Sequence, residues 1–306
     1  MRSKSNAGTA DAASHPVKGF CLSLLGTALL ATNFITAKYA AAEFGSSSFT
    51  VIWTIGCCVW ALSYLAATRD LGSLRLAKSD LLPVGLLGLF TGAGMICAWA
   101  GLLLMDPSFN AFLWRMMPVM GMLLGVIFLK ERLSLLDVLP VAVMLVGGAA
   151  GTLGRWEAVA AGVLFTVVSA VMFALQLLIG KLQSGKLGEV ALVFYRSFFA
   201  CIVVVIWTFA TGKQHFDVSV SVWLVTALGS FLGPFAGFVC MYRSYRYWGL
   251  SRSSMVMSVQ PLVVLPLAVW VLGEIPNQQE LLSGAIILVG ALWLGWVQIR
   301  QAKPSA

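Results

Sequence analysis

Residues 111–151 read AFLWRMMPVMGMLLGVIFLKERLSLLDVLPVAVMLVGGAAG, and the spacing inside this stretch decides the fold. Pro118 interrupts an apolar run, Glu131 follows it at an interval of 13, and Gly147 closes a second apolar run at a further interval of 16. The same intervals recur downstream, 13 between Pro261 and Glu274 and 16 between Glu274 and Gly290. The offset between the two occurrences, 261 − 118 = 143, also superimposes Gly19 on Gly162, Asn33 on Gln176, Lys38 on Lys181, Gly45 on Gly188, Cys58 on Cys201, Gly94 on Gly237 and Cys97 on Cys240. A gapless register that carries a shared Lys, Pro and Glu marks an internal duplication.

A chain of 306 residues that is 59% hydrophobic and 10% charged, with mean hydropathy +0.91, cannot hide its apolar surface in one water-soluble core. Its solvent is lipid. Breaking the sequence at charged or Pro/Gly-rich points leaves ten apolar runs, at 18–42, 47–67, 81–104, 107–129, 134–153, 158–180, 188–210, 220–242, 252–272 and 279–298. Each is about the 20 residues that a helix needs to cross a bilayer. The first five runs form one repeat, 18–153, and the last five a second, 158–298, flanked by a disordered tail at 1–17 and a short tail at 299–306. The basic start and apolar first run imitate a cleavable signal, but the run is long, contains Asn33 and has a counterpart at 162–181, so it reads as a retained helix.

Charge sets the orientation. With a cytoplasmic N-terminus, 15 of the 20 Lys and Arg fall in inside segments, only Lys38, Arg155 and Lys213 fall outside, and Arg115 and Arg196 lie within helices. That asymmetry places both termini in the cytoplasm. It also accounts for the net charge of +8 without nucleic acid. Five runs per repeat is an odd number, so the second copy is turned over relative to the first, the plan in which transport sites lie near the midplane between halves that rock. Lys130-Glu131-Arg132 then faces the cytoplasm and Gly273-Glu274-Ile275 the outside, each with charges suited to its side.

Enzyme chemistry has no visible carrier. The six Cys lie inside the apolar runs without ligand-like spacing, and His15 and His215 lie in the tail and a loop, so neither metal nor cofactor is expected. Glycines at four-residue spacing, Gly88 with Gly92, Gly121 with Gly125, and Gly229, Gly233 and Gly237, predict close helix crossings. Pro118 and Pro261 predict kinks, since each removes a backbone hydrogen bond inside a helix. The segment Tyr242-Arg243-Ser244-Tyr245-Arg246-Tyr247-Trp248 is expected as an interfacial belt of aromatics with snorkelling cations, with a substrate gate as the other reading.

Ten helices in two five-helix repeats, with Pro118…Phe-Leu-Lys-Glu131…Gly147 and Leu250-Ser-Arg-Ser-Ser254…Pro261…Val-Leu-Gly-Glu274…Gly290 as the best-matched pieces, resemble the drug/metabolite transporter superfamily and, within it, the EamA-type bacterial exporters. The resemblance covers about residues 19–298. It implies that the first four helices of each repeat surround a central cavity, that helices five and ten are peripheral and available for a homodimer contact, and that the cargo is an amino acid, another small metabolite or a drug. One departure stands out. The second half keeps the family's Arg early in the second helix of a repeat as Arg196, whereas the first half has Trp53 at the matching position.

Arg115 and Arg196 each lie eight residues into a run, about 12 Å deep. A charge at that depth costs at least ~2.5 kcal/mol unless a cavity or partner receives it. The two approach the midplane from opposite sides and are candidates to hold a carboxylate or phosphate; Arg196 is equally readable as structural. Glu131, Glu274, Asp106 and Glu43 all sit near run ends, which argues against proton-for-cation exchange on a membrane carboxylate. Asn33, Gln176 and Gln260, with Trp53, Trp99, Trp114 and Tyr195, are the candidates to complete the pocket, each readable also as helix packing. The expectation is a multi-pass carrier of the inner (plasma) membrane, not an enzyme, that exports a small carboxylate-bearing metabolite such as an amino acid by alternating access. An uptake carrier for a vitamin or nucleotide-like metabolite and a non-transporting membrane scaffold are the alternatives.

Overall fold

The computed structural model describes residues 16–103, 116–130, 135–150, 160–257 and 259–272, with isolated positions beyond. These residues form helices: α1 (Pro16–Phe44), α2 (Ser46–Ala67), α3 (Lys78–Leu103), α4 (Met116–Leu129), α5 (Leu135–Ala150), α6 (Ala160–Gln183), α7 (Glu189–Ala210), α8 (Val220–Ser244), α9 (Leu250–Met257) and α10 (Gln260–Leu267). Among the described residues, seven segments are long and apolar enough to cross a membrane, the last being the combined α9–α10 stretch Leu250–Val271. Nine of the ten runs read from the sequence therefore contain described helix, the fourth only over Met116–Leu129. The tenth lies outside the described residues except for isolated positions.

Glycine makes the closest crossings. A Cβ at Gly88 would lie 2.2 Å from the Phe199 Cβ and 2.9 Å from the Ala200 nitrogen, so α3 and α7 meet almost backbone to backbone. Gly229 lies against Thr36, Gly233 against Asn33 and Gly237 against Leu30, and this row seats α8 on α1. Gly121 admits Ser254, which brings α4 onto α9.

Pairwise contacts fix the relative directions of the helices. α1 opposes α8, with Ser23 on Ser244 and Thr36 on Gly229. α8 runs with α2, where Gly56 meets Ser230 and Tyr64 meets Phe235. α2 opposes α7, since Thr54 meets Cys201 while Cys58 meets Phe194. α7 runs with α3, Phe199 on Gly88 and Val203 on Gly92, and α3 opposes α6, Gly94 by Phe173 and Gly101 by Thr166. Three reversals along this path leave α1 antiparallel to α6, its own copy in the second repeat. The repeats are inverted. Equivalent crossings even reuse equivalent residues: Leu30 packs on Gly237 as Phe173 packs on Gly94, and Ser23 meets Ser244 as Thr166 meets Gly101.

Prolines mark the irregular places. α8 is π-helical over Phe231–Gly237, around Pro234, whose missing N–H cannot serve the carbonyl one α-turn back. In the ninth run, helix is described over Leu250–Met257 and Gln260–Leu267, with Pro261 in the first turn of the second piece. Pro118 lies in the first turn of the described part of α4.

Candidate functional site

Arg196 is the charge of this interior. It projects from α7 toward α8 and is 2% exposed, with its guanidinium carbon 3.6 Å from the centroid of the Phe238 ring. A desolvated cation–π contact of this kind recovers about 2 kcal/mol. Among the described residues no hydrogen-bond partner reaches its Nε or Nη1. A guanidinium whose charge is met by a ring face and whose Nε and Nη1 have no acceptor among the described residues is suited to a carboxylate or another flat anion.

The neighbours extend this polarity. Tyr242, one turn beyond Phe238 on α8, is fully buried, and its hydroxyl accepts a hydrogen bond from Gln176 Nε2 of α6 at 3.3 Å. Phe238 and Tyr242 pack with ring centroids 5.6 Å apart. Cys57 of α2 accepts from Ser197 at 3.1 Å and lies beside Arg196. Thus α2, α7 and α8 meet at one guanidinium, and α6 joins them through Tyr242.

Two of the candidate residues, Arg196 and Gln176, are brought into this one cluster through Tyr242. Asn33 lies on the α1 face against the π-helical turn: a Cβ at Gly233 would fall 1.5 Å from its Oδ1, and that oxygen has no hydrogen-bond partner among the described residues. Trp53 and Trp99 form a separate aromatic group with Phe49, at centroid distances of 5.0 and 6.4 Å. There the Trp99 Nε1 donates to Thr50 Oγ1 at 3.0 Å. Gln260 is half-buried at the start of α10. Tyr195 is committed elsewhere: its hydroxyl donates to the Leu74 carbonyl in the α2–α3 connection, and its ring stacks on Phe199. Arg115 and Trp114 lie outside the described residues.

The expected interfacial belt requires a correction. Tyr242, Tyr245 and Trp248 are buried, and only Arg243 and Arg246 of that segment are exposed. Tyr242 lies on the inner face of α8, and the turn that follows Ser244 carries Tyr245 and Trp248 inward as well, while the two Arg stay outside. The match of Tyr242 to Trp99 at offset 143 is the available signal for an inner position.

Those buried aromatics seal one end of the bundle. The Trp248 Nε1 donates to Ser253 Oγ at 2.7 Å and to Ser23 Oγ at 3.1 Å, and Ser23 also donates to Ser244 at 3.0 Å. Lys181, at the end of α6, donates to the backbone carbonyls of Tyr245 and Trp248, the latter at 2.9 Å. Arg246 pairs with Glu189 at 3.0 Å and Lys186 with Asp80 at 3.7 Å on the same end. Helices from both repeats are laced together where the basic loops collect.

Inverted helical repeats with a buried, unmatched cation between them define a class, the multi-pass membrane transporters of small solutes. A family model described as the EamA-like transporter family matches residues 17–152 and again residues 160–296. The chain belongs to that family. Among solved structures, 29 chains match; one described as "Crystal structure of protein" has a TM-score of 0.77 and 18% identity, covering 94% of this chain and 99% of its own. That likeness shows the fold alone. No curated protein matches.

Proposed function

We propose that this protein is a secondary transporter of the plasma membrane that exports a small carboxylate-bearing metabolite, an amino acid or a close relative, by alternating access. One observation carries the reading: Arg196 is buried at depth with Nε and Nη1 unpartnered and no acid beside it among the described residues. Holding a charge there costs at least ~2.5 kcal/mol, which the Phe238 ring offsets in part and an arriving carboxylate further. Gln176 and Tyr242 set the polar wall around that carboxylate, and Asn33 at the π-helical turn of α8 contributes from the other repeat. Arg115, Trp114 and Gln260 remain in the proposed lining, and Pro118 and Pro261 in the proposed gating. Tyr195 leaves it, being bonded to Leu74.

The laced basic end supports one half of the cycle, in which the passage is shut on that side. The positive-inside asymmetry makes it the cytoplasmic side. Counterflow in proteoliposomes tests the reading, with Arg196→Gln as the variant. Uptake of labelled amino acids should fall by at least 100-fold while the variant keeps its fold and melting profile. Undiminished uptake of anionic and zwitterionic cargo by a folded variant would remove Arg196 from the site. Flux measured separately in each direction decides export against uptake.

A further inference from the structure

Most basic side chains at the laced end have protein partners. Lys181 donates to two backbone carbonyls, Arg246 faces Glu189 and Lys186 faces Asp80. Lys18, at the start of α1, and Arg243, at the end of α8, are exposed and meet no carboxylate among the described residues. Both gather instead at one phenol. The Lys18 ammonium stands 4.7 Å from the centroid of the Tyr247 ring, in the connection between α8 and α9. Its hydrogen bond to Tyr247 holds that phenol below the ordinary range; partial burial opposes the shift, and the charges of Lys18 and Arg243 add to it. Two cations thus share one neutral oxygen, with no acid among the described residues to balance them.

Packing holds this pair at a defined depth. Gly19, next to Lys18, lies so close to the α8–α9 connection that a Cβ there would be 3.0 Å from Trp248 Cγ and 3.2 Å from Tyr247 Cβ. Phe20 meets the Trp248 ring edge to face at 5.9 Å. α1 has 29 residues, about 44 Å at 1.5 Å each, which matches the roughly 40–45 Å of a bilayer with its headgroups. Lys18 is its third residue, so the cations stand at headgroup level. Further along the same face of α1, at helical spacing, Cys21 and Leu25 are exposed with Leu24 beside them. This surface is therefore cationic among the headgroups and apolar from there inward.

We propose that Lys18, Arg243 and the Tyr247 hydroxyl bind the phosphate of an anionic phospholipid of the cytoplasmic leaflet, whose acyl chain lies along Cys21, Leu24 and Leu25. The phosphodiester neutralises the cation pair and accepts the hydrogen bond that the phenol has left to give. A zwitterionic lipid brings its own ammonium to the same place and is disfavoured; a free phosphate has no chain for the apolar stripe. Lys18 belongs to the first repeat and Arg243 to the second, so one headgroup bridges the repeats at the fastened end. This site stands apart from Arg196 and does not depend on what the protein carries.

Native mass spectrometry of the purified full-length protein tests this, with phosphatidylglycerol and phosphatidylcholine of identical chains offered in equal amounts. Each Lys or Arg near an anionic surface contributes roughly fivefold in affinity, so wild type should prefer phosphatidylglycerol by at least about 10-fold. Lys18→Gln and Arg243→Gln should each lower that preference by about fivefold, the second serving alone if the first fails to fold. Lys18→Arg, which keeps the charge, should retain it. Lys78→Gln, the same loss of charge at another exposed residue of this end, should change it by less than about twofold. Inorganic phosphate in large excess should leave the lipid adduct in place. A preference that survives both Gln substitutions, or that falls as far in Lys78→Gln, overturns the inference. Displacement of the lipid by inorganic phosphate overturns its assignment to a phospholipid.

Discussion

Replacing Lys181 with methionine keeps the length of the side chain and removes two hydrogen bonds from its ammonium, to the carbonyls of Tyr245 and Trp248. A hydrogen bond to a charged group contributes about 1.5–3 kcal/mol, and since Lys181 is only half-buried the lower figure applies, about 3 kcal/mol for the pair. Both bonds tie the α8–α9 junction to α6. Its opening equilibrium should therefore rise by roughly 100-fold. Two amides report that opening directly, because Tyr247 and Trp248 both donate their N–H to the Ser244 carbonyl. Hydrogen exchange followed by mass spectrometry should show peptides over 245–253 losing about two decades of protection in Lys181→Met, while peptides over the α3–α7 crossing stay as they are. Lys186→Met is the control, because Lys186 is 59% exposed and 3.7 Å from Asp80, a surface pair of negligible strength. Unchanged protection at 245–253, or an equal loss throughout the bundle, would refute the idea that Lys181 latches this end.

Gly233→Ala should lower the melting temperature sharply, since the new methyl would fall 1.5 Å from Asn33 Oδ1; adding Asn33→Ala should recover most of the loss, as a double-mutant cycle of thermal shifts will reveal. Gly88→Ala should destabilise by about 1–3 kcal/mol through contact with Phe199 and the Ala200 backbone, whereas Gly185→Ala, with nothing within 4 Å, should be neutral in the same assay. Ser253→Ala removes the shorter of the two acceptors of the Trp248 indole and should cost about 1 kcal/mol of stability without altering cargo affinity, measurable by denaturant titration and ligand binding side by side.

The inverted repeat was legible because it is written twice, and a pattern of Pro, Glu and Gly in fixed register survives divergence of everything between. Burial of Arg196 was legible too, since a guanidinium eight residues into an apolar run can seldom face lipid. Its partners were not. Phe238 and Tyr242 are chosen by the rotation of α8 about its axis, and that rotation depends on where the π-helical turn at Pro234 adds a residue to the helical phase. Tyr195 illustrates the converse. It neighbours Arg196 in sequence, but consecutive helix residues point about 100° apart, and its hydroxyl leaves the interior for a loop carbonyl. The role of Lys181 is not legible in the sequence, because a lysine at a helix end is ordinarily solvated and its acceptors are backbone atoms that leave no mark there.

The crossing of α1 with α8 and α9 is fastened by hydroxyls, Ser23 on Ser244 and on Ser253. Hydrogen bonds are directional and part abruptly; a smooth steric contact can slide. An empty carrier of the proposed kind therefore comes to rest with this end fastened. Cargo coming from the cytoplasm must then supply the energy of release, so outward traffic is open only to molecules whose contacts in the site offset the parting of those hydroxyls.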